Sequence, residues 1–150
     1  QDAKGEPGAM ATETDISAEL TARQEGMLPG QLELVWKEVI NGRAHGSFVV
    51  AKKHLAPNGY LHAASIIALA DSACGYGCMA SLPDGAANFT TIELKANYLG
   101  SAKLGETVTC AATLKHGGRS TQVWDAEVVN AASGKTIALF RCTQMILYPR

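Results

Sequence analysis

Residues 57–80 read PNGYLHAASIIALADSACGYGCMA, and this stretch decides the fold. From Leu61 to Ala80 there is no proline and no alternation of apolar with polar residues; apolar side chains fall at nearly every helical angle. A helix of that pattern is expected to be buried on all sides, because a solvent-facing stripe would show as a polar face. It is also built from small residues, among them Ala63, Ala64, Ser65, Ala68, Ala70, Ala73, Gly75 and Gly77. Each of the two glycines costs the helix about 1 kcal/mol relative to alanine. Close approach of neighbouring groups is the expected compensation. Turn chemistry bounds the element, with Pro57-Asn58-Gly59 before it and Pro83-Asp84-Gly85 after it.

Upstream, residues 12–25 have a helical spacing in Ile16, Leu20 and the stem of Arg23, and Leu28-Pro29-Gly30 is expected to break that helix. Alternation follows: Leu32, Leu34 and Trp36 point one way, Glu33, Val35 and Lys37 the other. Asn41-Gly42 marks a tight turn, so residues 31–53 read as a hairpin. Downstream, Ile92, Leu94, Ala96 and Tyr98 alternate with Thr91, Glu93, Lys95 and Asn97. Residues 107–116, 121–130 and 136–147 are further strands, separated by turns at Gly117-Gly118 and Ser133-Gly134. Two strands, one buried helix and four strands predict an α+β fold, an antiparallel sheet of about six strands wrapped around one long central helix at about residues 61–80.

The 150 residues are 47% apolar and 18% charged, which suits one folded domain over residues 12–150. Residues 1–11 are polar, contain Gly and Pro, and read as a disordered tail or a remnant of the expression vector. A net charge of −1 gives no electrostatic case for nucleic acid or an anionic membrane as partner. Cys74, Cys78, Cys110 and Cys142 form no CxxC pair and read as reduced core residues. No run reaches the ~18 apolar residues of a spanning helix and no signal peptide is visible, so a cytoplasmic location is expected. His45, His54 and His116 lack metal-ligand spacing, and no metal or other cofactor is expected.

The helix carries one charge. Asp71 is the only charged residue between His62 and Ala80, and a carboxylate in apolar surroundings is costly unless it is bonded, paired or placed at a wet cleft. The stretch from Pro57 to Ala64, followed nine residues after His62 by Asp71, resembles the hot-dog-fold acyl-CoA thioesterases. Its nearest likeness is to the phenylacetate-degradation (PaaI-like) and 4-hydroxybenzoyl-CoA branch. Asn97-Tyr98-Leu99, Ala102 to Glu106, Gly118-Arg119 and Gly134 to Ala138 fit the same family, so the resemblance covers about residues 28–148.

The resemblance implies a hydrolase for aryl, arylacetyl or medium-chain acyl-CoA, with Asp71 as general base or nucleophile. It implies that the backbone N–H of Ala63 holds the oxyanion, a role that helix-end amides suit on physical grounds. The family usually has two glycines where this chain has Ala63 and Ala64, whose methyls narrow the approach to the carbonyl. His62 and Asn58 are further catalytic candidates, and Gly59 and Ala64 line the substrate. Thr91 falls where the family places a hydroxyl beside the acid, with Thr90 the competing choice. Arg119, with Ser120 beside it, is the first candidate for the CoA phosphates; Lys95 and Lys103 come second. Nine residues are 2.5 turns, so His62 and Asp71 lie on opposite faces of one helix. A site using both is shared between subunits, as in the family, and a homodimer or dimer of dimers is expected. The competing readings on this fold are a non-catalytic acyl-CoA sensor, which has no need of Asp71, and a dehydratase, which would need a histidine a few residues after it.

Overall fold

The computed structural model describes residues 14–150. The tail at 1–11 and the first residues of the helix expected at 12–25 lie outside the described residues. The chain runs through α1 (Ser17–Arg23), a single helical turn α2 (Leu28–Gln31), and a hairpin of β1 (Val35–Ile40) and β2 (Arg43–Val49). A 3-10 turn (Lys52–His54) and the long helix α3 (Ala63–Ala80) follow. Last come β3 (Asn88–Tyr98), β4 (Thr107–Gly117), β5 (Thr121–Asn130) and β6 (Lys135–Leu147). The six strands form one antiparallel sheet in the order β1-β2-β4-β5-β6-β3.

Leu28-Pro29-Gly30 does not stop a helix; it opens one. Proline at the start of α2 loses only an N–H that has no helical partner there, and the chain turns instead at Gly26, whose φ is +79°. The hairpin strand begins at Val35 rather than residue 31, with Leu34 and Trp36 buried and Val35 exposed as alternation requires. At Asn41-Gly42 only the glycine takes a positive φ, +88°.

The helix packs on all six strands, yet it is not buried on all sides. Ile66, Leu69, Ala70, Ala73, Cys74 and Cys78 are buried against the sheet, while Ile67, Ala68, Asp71 and Ser72 are half-buried and Ala64 is exposed. The sheet curls around only part of the helix. Small, weakly polar residues on the open stripe hid that stripe from a reading based on polarity. Its 18 residues are long and apolar enough by composition to cross a membrane, contrary to the expectation that no run would be, but the apolar side is spent on the sheet. The glycines permit that packing. A Cβ on Gly77 would stand 2.6 Å from the indole of Trp124, which is fully buried.

Two features of β3 position the site. It is an edge strand, paired with β6 alone. Its register shifts between Thr91 and Glu93, where Ile92 bulges out. The bulge moves Thr91 onto the helix-facing side, opposite buried Gln144, together with Leu94 and Ala96 opposite Cys142 and Phe140. Strict alternation had put Thr91 on the other face. The direction of α3 is also fixed. Its C-terminal end is tied by Ser81 to Gly42 and Gln122, near the start of β3. Its N-terminal end follows a loop bonded to residues 105–106, at the end of the sheet where β3 finishes.

Candidate active site

The N-terminus of α3 is held by a buried histidine. His54 is completely inaccessible; its Nδ1 accepts the Ala51 N–H at 2.9 Å and its Nε2–H donates to the Leu32 carbonyl at 2.7 Å. Its own carbonyl accepts the His62 N–H at 2.9 Å and the Ser65 hydroxyl at 2.9 Å, which anchors the start of the helix. Between them the chain makes a turn in which the Asn58 side chain accepts the Tyr60 N–H at 3.1 Å and Gly59 takes φ +88°. Asn58 is therefore engaged in its own turn, and both residues are exposed.

His62 caps the helix: its Nδ1 accepts the Ala64 N–H at 2.9 Å and its carbonyl accepts the Ser65 N–H at 2.9 Å. That leaves the Ala63 N–H, exposed and without a partner among the described residues, as the amide free to meet an anion. The Ala64 amide is already used, so only its methyl can line a substrate.

Asp71 lies eight residues further along, about 12 Å up the helix axis. Burial pushes its carboxyl above the usual range, and the Thr91 hydroxyl, 3.3 Å from Oδ1, acts in the opposite direction. Behind Thr91 stands Gln144, whose Oε1 is 2.8 Å from the same hydroxyl. Sequence reasoning passed over Gln144, although a signal existed. From Ala138 to Ile146 it is the one polar residue on the phase of β6 occupied by Ala138, Phe140, Cys142 and Ile146, all buried. Next to it stands the Cys74 thiol, which a hydrogen bond with Cys142 and burial push up, so it stays neutral. All four cysteines are free and buried.

Thr90 faces away from the helix, opposite exposed Met145, and does not approach Asp71. Arg119 and Ser120 form the β4–β5 turn, at the same end of the sheet as Thr91. The guanidinium of Arg119 stacks on Tyr148 at 5.4 Å and its carbonyl accepts the Tyr148 hydroxyl, while the Ser120 carbonyl accepts the Ile146 N–H. Lys95 lies on the far face of the sheet opposite Arg141, and Lys103 sits at the opposite end from Arg119. One chain thus gathers Asp71 and Thr91 in one place, and His62, Ala63, Asn58 and Gly59 in another. A concavity of about 430 Å³ touches neither; it lies on the side of the sheet away from α3, lined by Lys95, Lys115, Asp125 and Arg141 among others. Among the described residues, no three His, Cys, Asp or Glu side chains cluster so as to hold a metal.

A family model described as thioesterase superfamily matches residues 58–137, from the turn that precedes α3 to the middle of β6's first half. The chain belongs to the thioesterase superfamily. This thioesterase is 32% identical over 117 residues to the 1,4-dihydroxy-2-naphthoyl-CoA hydrolase of Listeria monocytogenes, a match spanning 76% of this chain and 93% of the relative. It is 36% identical over 80 residues to the acyl-coenzyme A thioesterase PaaI of Escherichia coli, 53% of this chain and 54% of that one. The solved PaaI structure superposes with a TM-score of 0.77 at 24% identity, covering 87% of this chain and 91% of PaaI, and shares the hot-dog arrangement of sheet and helix. A Streptococcus mutans protein, smu.793, crystallised with acetyl-CoA, superposes with a TM-score of 0.70 at 26% identity over 78% of this chain and 90% of its own. The thioesterase is accordingly an enzyme, a thioester hydrolase.

Proposed function

We propose that this thioesterase hydrolyses an aryl, arylacetyl or medium-chain acyl-CoA to the free acid and CoA, in a site shared by two copies of the chain. The observation that carries the reading is Asp71: a lone carboxyl on an apolar helix, with its proton affinity raised by burial and a hydroxyl 3.3 Å away. A carboxylate so placed is basic enough to take a proton from water, or exposed enough to attack directly. Attack on the thioester carbonyl gives a tetrahedral oxyanion, for which the unpaired Ala63 N–H at the helix N-terminus is the donor. Collapse of that intermediate breaks the C–S bond and expels the CoA thiolate, which takes the proton that Asp71 removed from water. Where Asp71 attacks directly, the acyl-aspartyl anhydride left behind is cleaved by water, which supplies the thiolate's proton and the acid's oxygen.

Ala63 and Asp71 of one chain are about 12 Å apart, so the two must come from different subunits. The unpaired edge of β3 supports a two-fold pairing with a second copy. Antiparallel pairing there lays the Thr91 end of one β3 beside the Tyr98 end of its mate, which is the end where α3 begins. Inward-facing Leu94 and Tyr98, 43% and 47% exposed in the single chain, would be covered by that contact. Acyl-CoA as substrate class is supported by the names of the relatives and by the acetyl-CoA found in the Streptococcus mutans structure. Arg119, on the same end as Thr91, is the cation proposed for the CoA phosphates, with Ser120 beside it. Four free thiols favour a reducing compartment, in keeping with a cytoplasmic enzyme.

The test is thiol release from a panel of aromatic and aliphatic acyl-CoAs by the wild type, Asp71→Asn and Asp71→Ala. Both substitutions are expected to lower kcat by about 10²-fold or more with the fold retained. Undiminished turnover in either would remove Asp71 from the chemistry.

A further inference from the structure

Thr91 has a single hydroxyl proton and two acceptors within reach, Gln144 Oε1 at 2.8 Å and Asp71 Oδ1 at 3.3 Å. It cannot satisfy both. If the proton points at Gln144, an ionised Asp71 faces the oxygen lone pairs of Thr91 with nothing between them. That arrangement suits only a protonated Asp71, whose own O–H then donates to Thr91. If instead the Gln144 amide is turned over, its NH2 donates to the Thr91 oxygen and frees the hydroxyl proton for the ionised carboxylate. The turned amide also keeps a partner behind it, because its oxygen then faces Cys142 Sγ, now 3.4 Å from Nε2, and can accept the S–H. Both orientations satisfy Gln144, which is completely buried and so has no water to turn to.

We infer that Gln144 is a positioning residue whose amide turns over with the protonation of Asp71, aiming the Thr91 hydroxyl at the carboxylate in the ionised, working form. The inference rests on Asp71 being the acid–base group proposed above. The surroundings leave the task to this relay. Helix α3 brings the neutral Cys74 thiol towards Asp71, β6 brings Cys142 and Gln144, and the inner face of β3 brings Phe89, Thr91 and Leu94. No basic side chain contributes to the environment of the carboxyl, so the Thr91 hydroxyl is what favours its charged form, and Gln144 is the group that competes for or releases that hydroxyl's proton.

The first measurement needs no change at Gln144. In the wild-type protein, the Asp71 carboxyl ¹³C and the Gln144 side-chain amide resonances are followed through a pH titration. The amide is expected to titrate with the midpoint of Asp71 and to stop doing so in Asp71→Asn. An amide that ignores the Asp71 midpoint overturns the inference. The second is Gln144→Met, which keeps the volume and removes the amide. Its Asp71 midpoint and the acid limb of kcat/KM are expected to move up by about one pH unit, which is about tenfold in rate on the acid side of the limb and little at high pH. Thr91→Val should give a similar displacement, and the double variant no more than Thr91→Val alone. A fall in rate that is equal at every pH, with the Asp71 midpoint unmoved, would mark Gln144 as packing only and overturn the proposal. If the wild type hydrolyses no acyl-CoA while the two resonances still titrate together, the functional reading fails and the relay stands.

Discussion

A carboxyl group set on an apolar helix is worth keeping only if something uses its charge, and Asp71 allows that trade to be measured. Its pKa in the folded protein is raised, with burial the main cause. The sign follows from linkage: a group whose folded pKa exceeds its unfolded value adds stability below the unfolded pKa and loses that contribution as pH rises through the folded one. Above the folded pKa the wild type has therefore lost it. Asparagine has nearly the same shape and no charge to desolvate, so Asp71→Asn is expected to raise Tm by a few degrees at pH 7. The gain should shrink as pH falls and vanish below about pH 4, where the carboxyl is protonated in both states. Thermal melts of the two proteins across that range check it; a loss of stability at pH 7 would mean that the bond to Thr91 outweighs the burial. Gain of stability with loss of turnover is the behaviour of a residue retained for chemistry.

At the scale of the element, α3 shows what small residues are for. Gly77 faces the Trp124 indole, where an added methyl would come within 2.6 Å of ring carbons that cannot move, since the ring is fully buried. Gly75 faces the half-buried Phe89, and a methyl added there would stand 3.1 Å from the tip of that ring. Alanine gains about 1 kcal/mol of helix propensity at either position. At Gly77 overpacking of about 1–3 kcal/mol exceeds the gain, so Gly77→Ala should destabilise. At Gly75 the Phe89 ring can yield, and Gly75→Ala should be near neutral or stabilising. Urea melts of the pair decide it; equal effects would deny that Trp124 sets the limit.

The same element explains which parts of the fold were legible. The extent of α3, the succession of elements along the chain and the close packing at glycine all follow from local composition. So does Asp71, as a charge out of place. The open stripe of Ala64, Ala68 and Ser72 was invisible because those residues are equally at home in and out of water. Alternation put Thr91 on the wrong face, while the resemblance put it beside Asp71, because nothing in Thr91-Ile92-Glu93 announces a bulge, which is fixed by pairing with β6. Gln144 was passed over because a single polar residue interrupts the alternation of β6 without altering it.

For the whole molecule, the proposed sharing of the site predicts a relation between two chains that can be tested. Ala63 is the first helical residue, and the backbone of His62 before it is extended, at φ −68° and ψ 134°. Both conditions suit proline at position 63, so Ala63→Pro removes the free N–H while leaving the helix start intact. It should lower kcat by about 10²–10³-fold, the usual cost of one oxyanion donor, with little change in Tm. Asp71→Asn should be inactive for a different reason. If each site takes Asp71 from one subunit and the Ala63 amide from the other, a mixed dimer of the two variants contains one site with both parts and one with neither. Unfolding and refolding the two together in equal amounts then gives mixed dimers as about half of the population, and about a quarter of the wild-type sites. Recovery of roughly that fraction of wild-type activity from two inactive proteins is the expected outcome. A site contained in one chain would recover nothing, because every chain in the mixture still lacks one of its two groups.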